Sequence, residues 1–485
     1  MSETAPKSTS LNQRAFKAGI FYIACQLLVR GITFLMTPVF TRLMSQEQFN
    51  AFKIFESWLQ IFAPVMSLCL WRSVERAKYD VREKFPAFVS SVQTLSYLSI
   101  TCFFVVFWLF RDTVGPLFAM DDFMLLIAFL YTYAHTSIFY MQRREKQLMR
   151  YRSSTTLTIA TVIPATLLSV LLVVLGRRSG HADALVTLRI AGYYIPMILG
   201  GFTVAILMLV QGKQLISRSY WRYALSFSLP LIPEVLSIQI MNQADRIMVT
   251  YMTGSIPGSI FQLATTVSYI IWILEDSVWN AWLPWMYEKL SRGEGRDIQG
   301  SWSVLMHGFG VISWALVLFA PEIILILGGK KYGDAIYLIA PMVTGTLFRF
   351  YSYSYTAIQN YHKKTKFVAC STVSVMLLNV LLNYAGIRLF GYRAAAYTTA
   401  FSYLVLLVIQ AIMEKRLTGE QIIPLKKTLL TSCAYFLLCC ATMLAFRVPF
   451  VGRFLAALAA SPVLLRYFLP RMREILRLLK AGRKK

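Results

Sequence analysis

Two arginines lie deep within long apolar stretches of this chain, Arg30 in YIACQLLVRGITFLM and Arg349 in MVTGTLFRFYSYSY. A charged side chain at the centre of a membrane helix costs at least about 2.5–3.5 kcal/mol, so such residues face protein, water or a ligand. The guanidinium is a planar fork of donors that matches phosphate, and two of them acting together suit a diphosphate. Both arginines have polar company at helical spacing. Gln26, Arg30, Thr33 and Thr37 fall on one stripe, and Thr346, Arg349, Tyr353, Thr356 and Asn360 fall on another.

Three further stretches repeat the pattern. Lys53, Glu56, Gln60 and Ser67 align, as do Glu234, Ser237, Asn242 and Asp245, and Gln262, Tyr269, Asp276 and Asn280. Together the five stripes predict a shared hydrated interior, although uncharged polar positions equally suit hydrogen bonds between helices. The candidates for binding an anionic substrate are therefore Arg30, Arg349, Lys53, Gln26, Gln60 and Asn360. Lys53 and Glu56 stand one helical turn apart and also suit a local ion pair. Glu234, Asp276 and Glu56 are carboxylates able to carry a proton or a sodium ion. The adjacent Asp245 and Arg246 are expected to be architectural.

The elements that must position these residues are membrane helices. The chain has 485 residues, 57% of them apolar and 15% charged, with a mean hydropathy of +0.55, outside the soluble globular range. Spans of about 20 apolar residues are expected near 16–41, 50–71, 86–110, 122–141, 155–175, 184–210, 225–251, 257–284, 302–327, 334–359, 367–387, 393–413, 428–446 and 450–469, about fourteen in all. The opening MSETAPKSTSLNQRAFK has no short apolar core with a cleavage site, so the first apolar helix is expected to stay as a span.

The net charge of +26 follows this topology rather than a nucleic-acid footprint. With the N-terminus in the cytoplasm, most Lys and Arg fall in cytoplasmic segments such as RSVERAKYDVREK, QRREKQLMRYR, HKKTK and the tail RMREILRLLKAGRKK. Both termini are then cytoplasmic, and nucleic acid is not an expected partner. The seven cysteines lie in apolar stretches without a C-x-x-C pair, and the four histidines lack ligand spacing. Neither a metal site nor a cofactor is expected. Without a sizeable soluble domain, and with Asp121-Asp122 a poor catalytic motif, an enzyme is not expected either.

The end of the first span, TPVFTRLMSQEQFNAF, echoes that of the seventh, ADRIMVTYMTGSIPGSIF. Transporters are often built from such repeated halves. The expected organisation is an all-α membrane protein with two six-helix lobes, 16–210 and 225–413, around a central cavity. A cytoplasmic segment 1–15, a linker 211–224, a helix pair 428–469 and a basic tail 470–485 complete it. Prolines within spans, among them Pro64, Pro164, Pro196, Pro284 and Pro341, are hinge candidates.

LPLIPEVLS followed by ADRIMV, and WNAWLPWMYEKL with its Trp282 and Pro284, are the most specific motifs in the chain. PEIILILGGKKYGDA, NYHKKTK, NVLLNY and GYRAAAYTT follow in order. In these motifs the sequence resembles the Wzx-type oligosaccharide flippases of polysaccharide biosynthesis, within the multidrug/oligosaccharidyl-lipid/polysaccharide exporter superfamily. Asn50 stands where that family is expected to have glycine. The resemblance implies a fourteen-helix protein of the bacterial inner membrane that moves undecaprenyl-diphosphate-linked oligosaccharide from the cytoplasmic to the outer leaflet by alternating access through a cationic cavity. It makes the lipid-linked glycan and membrane lipids the expected partners, with H+ or Na+ and a glycan polymerase as further ones. Asp245, Arg246, Trp282 and Pro284 belong to its structural motif. A flippase for the peptidoglycan precursor lipid II and a cation-coupled multidrug exporter of the same superfamily are the alternatives.

Overall fold

Ser45 starts the first fully described helix. Its hydroxyl accepts from the Gln48 amide at 3.1 Å while the Gln48 side chain accepts from the Ser45 amide at 3.0 Å, a reciprocal cap that satisfies two otherwise orphan donors. The helix that follows, α1 (Gln46–Met66), carries Lys53, Glu56 and Gln60. The computed structural model describes residues 31–455 apart from positions 33, 82–83, 149–150 and 420, with isolated positions beyond 455. Every element among the described residues is helical, with no strand.

The remaining long elements follow in order: α2 (Trp71–Val81), α3 (Phe85–Leu109), α4 (Arg111–Phe118), α5 (Asp122–Gln147), α6 (Tyr151–Arg178), α7 (Leu185–Gly212) and α8 (Arg218–Ser228). After these come α9 (Ile232–Thr253), α10 (Ser255–Ser291), α11 (Gly295–Leu318), α12 (Ala320–Gly328), α13 (Ile336–Tyr361), α14 (Thr365–Phe390), α15 (Ala394–Thr418) and α16 (Leu425–Thr442). Ten helical stretches among the described residues are long and apolar enough to cross a membrane, or eleven if the bent pair α1 and α2 counts as one span. The 26-residue α13 is long enough as well, but Arg349 and its Ser, Thr and Tyr residues lower its hydropathy. The expected first and last spans, 16–41 and 450–469, lie largely outside the described residues. An expectation of about fourteen helices is compatible with this set.

The bend of 52° between α1 and α2 has a local cause. Pro64 cannot donate from its own nitrogen, and its carbonyl accepts from the Cys69 amide at 3.0 Å, closing an i,i+5 turn. Leu68 and Cys69 then take left-handed backbone, with φ of 54° and 51°. Between α9 and α10 the turn is made by Gly254, whose φ of 98° is open to glycine.

The chain divides into two compact units, Met1–Gln243 and Ala244–Lys485, with the boundary inside α9. In the first unit α7 packs closely on both α5 and α6. Small residues permit this. A Cβ on Gly201 would stand 2.6 Å from the Ala134 backbone, and one on Gly192 would stand 2.6 Å from Ser169 Cα. Phe52, Phe55, Leu59, Ile127, Phe129 and Tyr194 form the core around them. In the second unit α13 packs on α15, α10 and α16, and its Leu347, Phe350, Tyr351 and Tyr355 meet Trp282, Trp302 and Phe309 in an aromatic core.

Candidate functional site

Arg349 sits halfway along α13, with one face of its helix packed in the core. Its side chain is 11% exposed, and Nη2 lies 3.6 Å from Oε2 of Glu275, which reaches over from α10 and is 2% exposed. The guanidinium carbon is 5.2 Å from the Trp272 ring centre and 5.8 Å from that of Tyr353. These aromatic faces lend the cation quadrupolar stabilisation without using its N–H donors. At 3.6 Å the carboxylate is an ion-pair partner but beyond hydrogen-bond distance. Nε and Nη2 of Arg349 and both oxygens of Glu275 have no hydrogen-bond partner among the described residues. Leaving such donors buried costs about 1–3 kcal/mol each, so the arrangement suits a cation kept ready for an anionic ligand.

Along the same stripe of α13, Tyr353 is half-buried and Asn360 exposed, and Trp279 of α10 stands 5.8 Å from Tyr353. Arg349, Tyr353 and Asn360 thus share one helix face as the spacing predicts. On α10, Asp276 and Asn280 are exposed, and the Asn280 amide donates to the Asp276 carbonyl at 2.7 Å. Glu275 lies outside the predicted stripes. It is the neighbour of Asp276, a rotation of about 100° away, and the signal that points to it is Trp272 and Trp279 at i−3 and i+4, a face shared with the aromatic core.

In the first unit Lys53 Nζ donates to Glu56 Oε2 at 2.7 Å, with 17% and 31% of the side chains exposed. Gln60 is exposed on the same helix and Glu234 is half-buried on α9. Arg30 and Gln26 lie outside the described residues. Another buried arginine, Arg189 near the start of α7, does not belong to any predicted stripe. Its guanidinium carbon stands 3.9 Å from the Phe40 ring centre and 3.7 Å from that of Phe52, and Nη1 is 3.6 Å from Met44 Sδ.

Asp245 anchors a polar cluster inside the second unit. Its carboxylate accepts from Asn383 Nδ2 at 2.6 Å and from Thr399 Oγ1 at 2.7 Å. Asn379 donates to Thr399 at 3.0 Å, and Thr398 donates to Asn383 Oδ1. The cluster ties α9 to α14 and α15 through the NVLLNY and AAAYTT motifs. Arg246 is 7% exposed and faces the Tyr269 ring at 5.2 Å. Trp282 donates from Nε1 to Ser301 Oγ at 3.2 Å and packs on Trp302, while Pro284 two residues on is exposed. No group of three or more His, Cys, Asp or Glu side chains able to hold a metal ion occurs among the described residues.

Among the described residues the chain is all-helical, with ten or eleven stretches long and apolar enough to span a membrane. Solved structures agree on the fold. The lipid II flippase MurJ, in an inward closed conformation, matches with a TM-score of 0.67 at 15% identity, covering 93% of this chain and 100% of that one. An inward-facing multidrug resistance MATE family transporter of the MOP superfamily gives 0.60 at 12% identity, over 82% and 95%. A MOP superfamily transporter from Pyrococcus furiosus gives 0.57 at 12% identity, over 86% and 99%. An uncharacterized membrane protein of Haemophilus influenzae is 21% identical over 379 residues, 74% of this chain and 88% of that protein.

The sequence profile of the polysaccharide biosynthesis protein family matches residues 15–289, more than half of the chain. The protein belongs to that family.

Proposed function

We propose that the protein is a lipid-linked oligosaccharide flippase, which moves undecaprenyl-diphosphate-linked glycan units from the cytoplasmic to the outer leaflet of a bacterial inner membrane. The observation that carries this reading is Arg349, a buried guanidinium midway along α13 whose Nε and Nη2 have no hydrogen-bond partner among the described residues, in a member of the polysaccharide biosynthesis family. The head group of such a substrate combines sugars with about two negative charges and cannot cross hydrocarbon unaided. Arg349 with Arg30 offers the diphosphate a cationic path, while Lys53, Gln26, Gln60 and Asn360 offer polar contacts to the glycan. The prenyl tail stays in lipid throughout.

Outward movement of two negative charges is favoured by roughly 4–5 kcal/mol at about 100 mV, interior negative, which supplies a driving force without chemistry. Coupling to H+ or Na+ through Glu234, Asp276 or Glu56 would add to it. Both termini lie in the cytoplasm in this reading, and a glycan polymerase on the outer face consumes the product. The protein is a transporter and not an enzyme. The cationic chemistry around Arg349 favours an anionic substrate over the organic cations of a multidrug exporter.

The test is reconstitution in liposomes with the native lipid-linked glycan and, in parallel, with lipid II. Flipping of the glycan by the wild type, and its loss in Arg30→Ala and Arg349→Ala, is the expected result. Normal export by both variants would remove the arginines from the mechanism. Transport of lipid II in preference to the glycan would assign the protein to the peptidoglycan precursor instead.

A further inference from the structure

Glu275 has no part in the reading above, yet its surroundings give it one. It is a carboxylate 2% exposed in a membrane helix, and its charge partner Arg349 approaches no nearer than 3.6 Å. A buried ion pair offsets its desolvation only when hydrogen bonds accompany the Coulomb attraction. Here both carboxylate oxygens and two guanidinium nitrogens lack hydrogen-bond partners among the described residues. The pair neutralises charge without locking either member in place.

We propose that Glu275 is an exchangeable counter-ion for Arg349, which gives up the guanidinium to an anionic phosphate group and takes up one proton as it does so. This rests on the flippase reading and names how the same site is regulated. The step is balanced: the phosphate oxygens replace the carboxylate beside Arg349, one O–H bond forms on Glu275, and the proton comes from water. When the anion leaves, the proton returns to water and the ion pair re-forms. A carboxylate left buried beside a second anion, with its cation engaged, is far costlier than the carboxylic acid.

The other charged or titratable side chains around the pair are few. Tyr269 and Asp276 come from α10, Tyr351 and Tyr353 from α13, and Tyr403 from α15. From α11 come the apolar Trp302, Met306 and Phe309. Asp276 is exposed and sits in a different environment from Glu275. Glu275 is therefore the buried carboxylate on which exchange at Arg349 acts directly.

The experiment is calorimetric titration of the full-length protein in nanodiscs with farnesyl diphosphate, repeated in two buffers of different ionisation heat to count protons. At about pH 8 the terminal phosphate of farnesyl diphosphate has lost its last proton, whose pKa is about 6, so any uptake belongs to the protein. The wild type is expected to take up about one proton per ligand bound. Glu275→Gln, whose amide never competes as an anion, is expected to bind several-fold tighter with no uptake, and Arg349→Ala to bind at least tenfold more weakly. Binding by the wild type without proton uptake, or equal uptake by wild type and Glu275→Gln, overturns the counter-ion role while the flippase reading stands. If Glu275→Gln does not fold, the wild-type proton count decides alone. Failure of the wild type to bind the diphosphate overturns both.

Discussion

Arg189 in the first unit and Arg349 in the second are both buried in helices of the membrane region, and their surroundings treat the same side chain in opposite ways. Arg189 is 4% exposed and clasped between the Phe40 and Phe52 rings, with ring centres 3.9 and 3.7 Å away. Arg349 has its rings farther off, at 5.2 and 5.8 Å, and a carboxylate at 3.6 Å that accepts no hydrogen bond from it. A close aromatic clasp fixes a guanidinium by its flat faces and makes it a piece of packing. A loose partner leaves donors available to a ligand. Burial alone therefore does not separate a structural arginine from a binding one, whereas the way its planar group is held does.

Four substitutions sharpen or break this contrast. The largest effect is expected from Arg349→Ala, with flipping in liposomes per folded molecule lowered by about 100-fold or more, as for loss of a charged contact to a phosphate, and a lower thermal midpoint as well because Glu275 loses its ion-pair partner. A variant that transports normally would dissolve the distinction between the two arginines. Next, Arg189→Ala is expected to lose about 2–4 kcal/mol of stability through the missing ring contacts, read as a lower thermal midpoint in detergent, while transport per folded molecule stays near wild type. Transport lost without loss of stability would place Arg189 with Arg349.

Asp245→Ala is a third, smaller perturbation. It leaves Asn383 and Thr399 without their acceptor inside the second unit, at a cost of about 1–3 kcal/mol measured by the same melts. Smallest of all is Lys53→Ala, which opens a part-exposed ion pair with Glu56 and is expected to shift stability by no more than about 1 kcal/mol. If flipping nevertheless falls sharply in Lys53→Ala, the lysine contacts substrate as well as its neighbour.

How much of this was legible in the sequence follows from what periodicity can report. Spans announce themselves through length and hydropathy. The stripe of Arg349, Tyr353 and Asn360 is equally visible, because residues at helical spacing share a face whatever surrounds them. Glu275 is not, since it falls beside the polar stripe of its own helix and on an aromatic one, and only the packing of α10 on α13 brings it to Arg349. Arg189 is missed for a related reason. Its partners, Phe40 and Phe52, read as ordinary core residues, and their meeting with α7 is tertiary. Asp245 reads as architectural from its place beside Arg246, but the donors to its carboxylate, Asn383 and Thr399, lie more than 130 positions away along the chain and only the packing of the helices brings them to it.

The bend between α1 and α2 carries a consequence for how this protein tolerates change. Leu68 and Cys69 both hold a backbone form that costs an ordinary side chain about 1–2 kcal/mol, yet Cys69 and the following Leu70 are 1% and 0% exposed. Leu68 is half-buried against the cluster that contains Leu70, Val74 and Phe88, so packing outweighs a local preference twice in succession at this corner. Glycine at position 68 would relax the backbone, but at position 69 it would also remove a buried side chain. Of the two neighbours, then, the corner leaves one free to drift toward glycine over evolution and confines the other to small side chains that fill the same space.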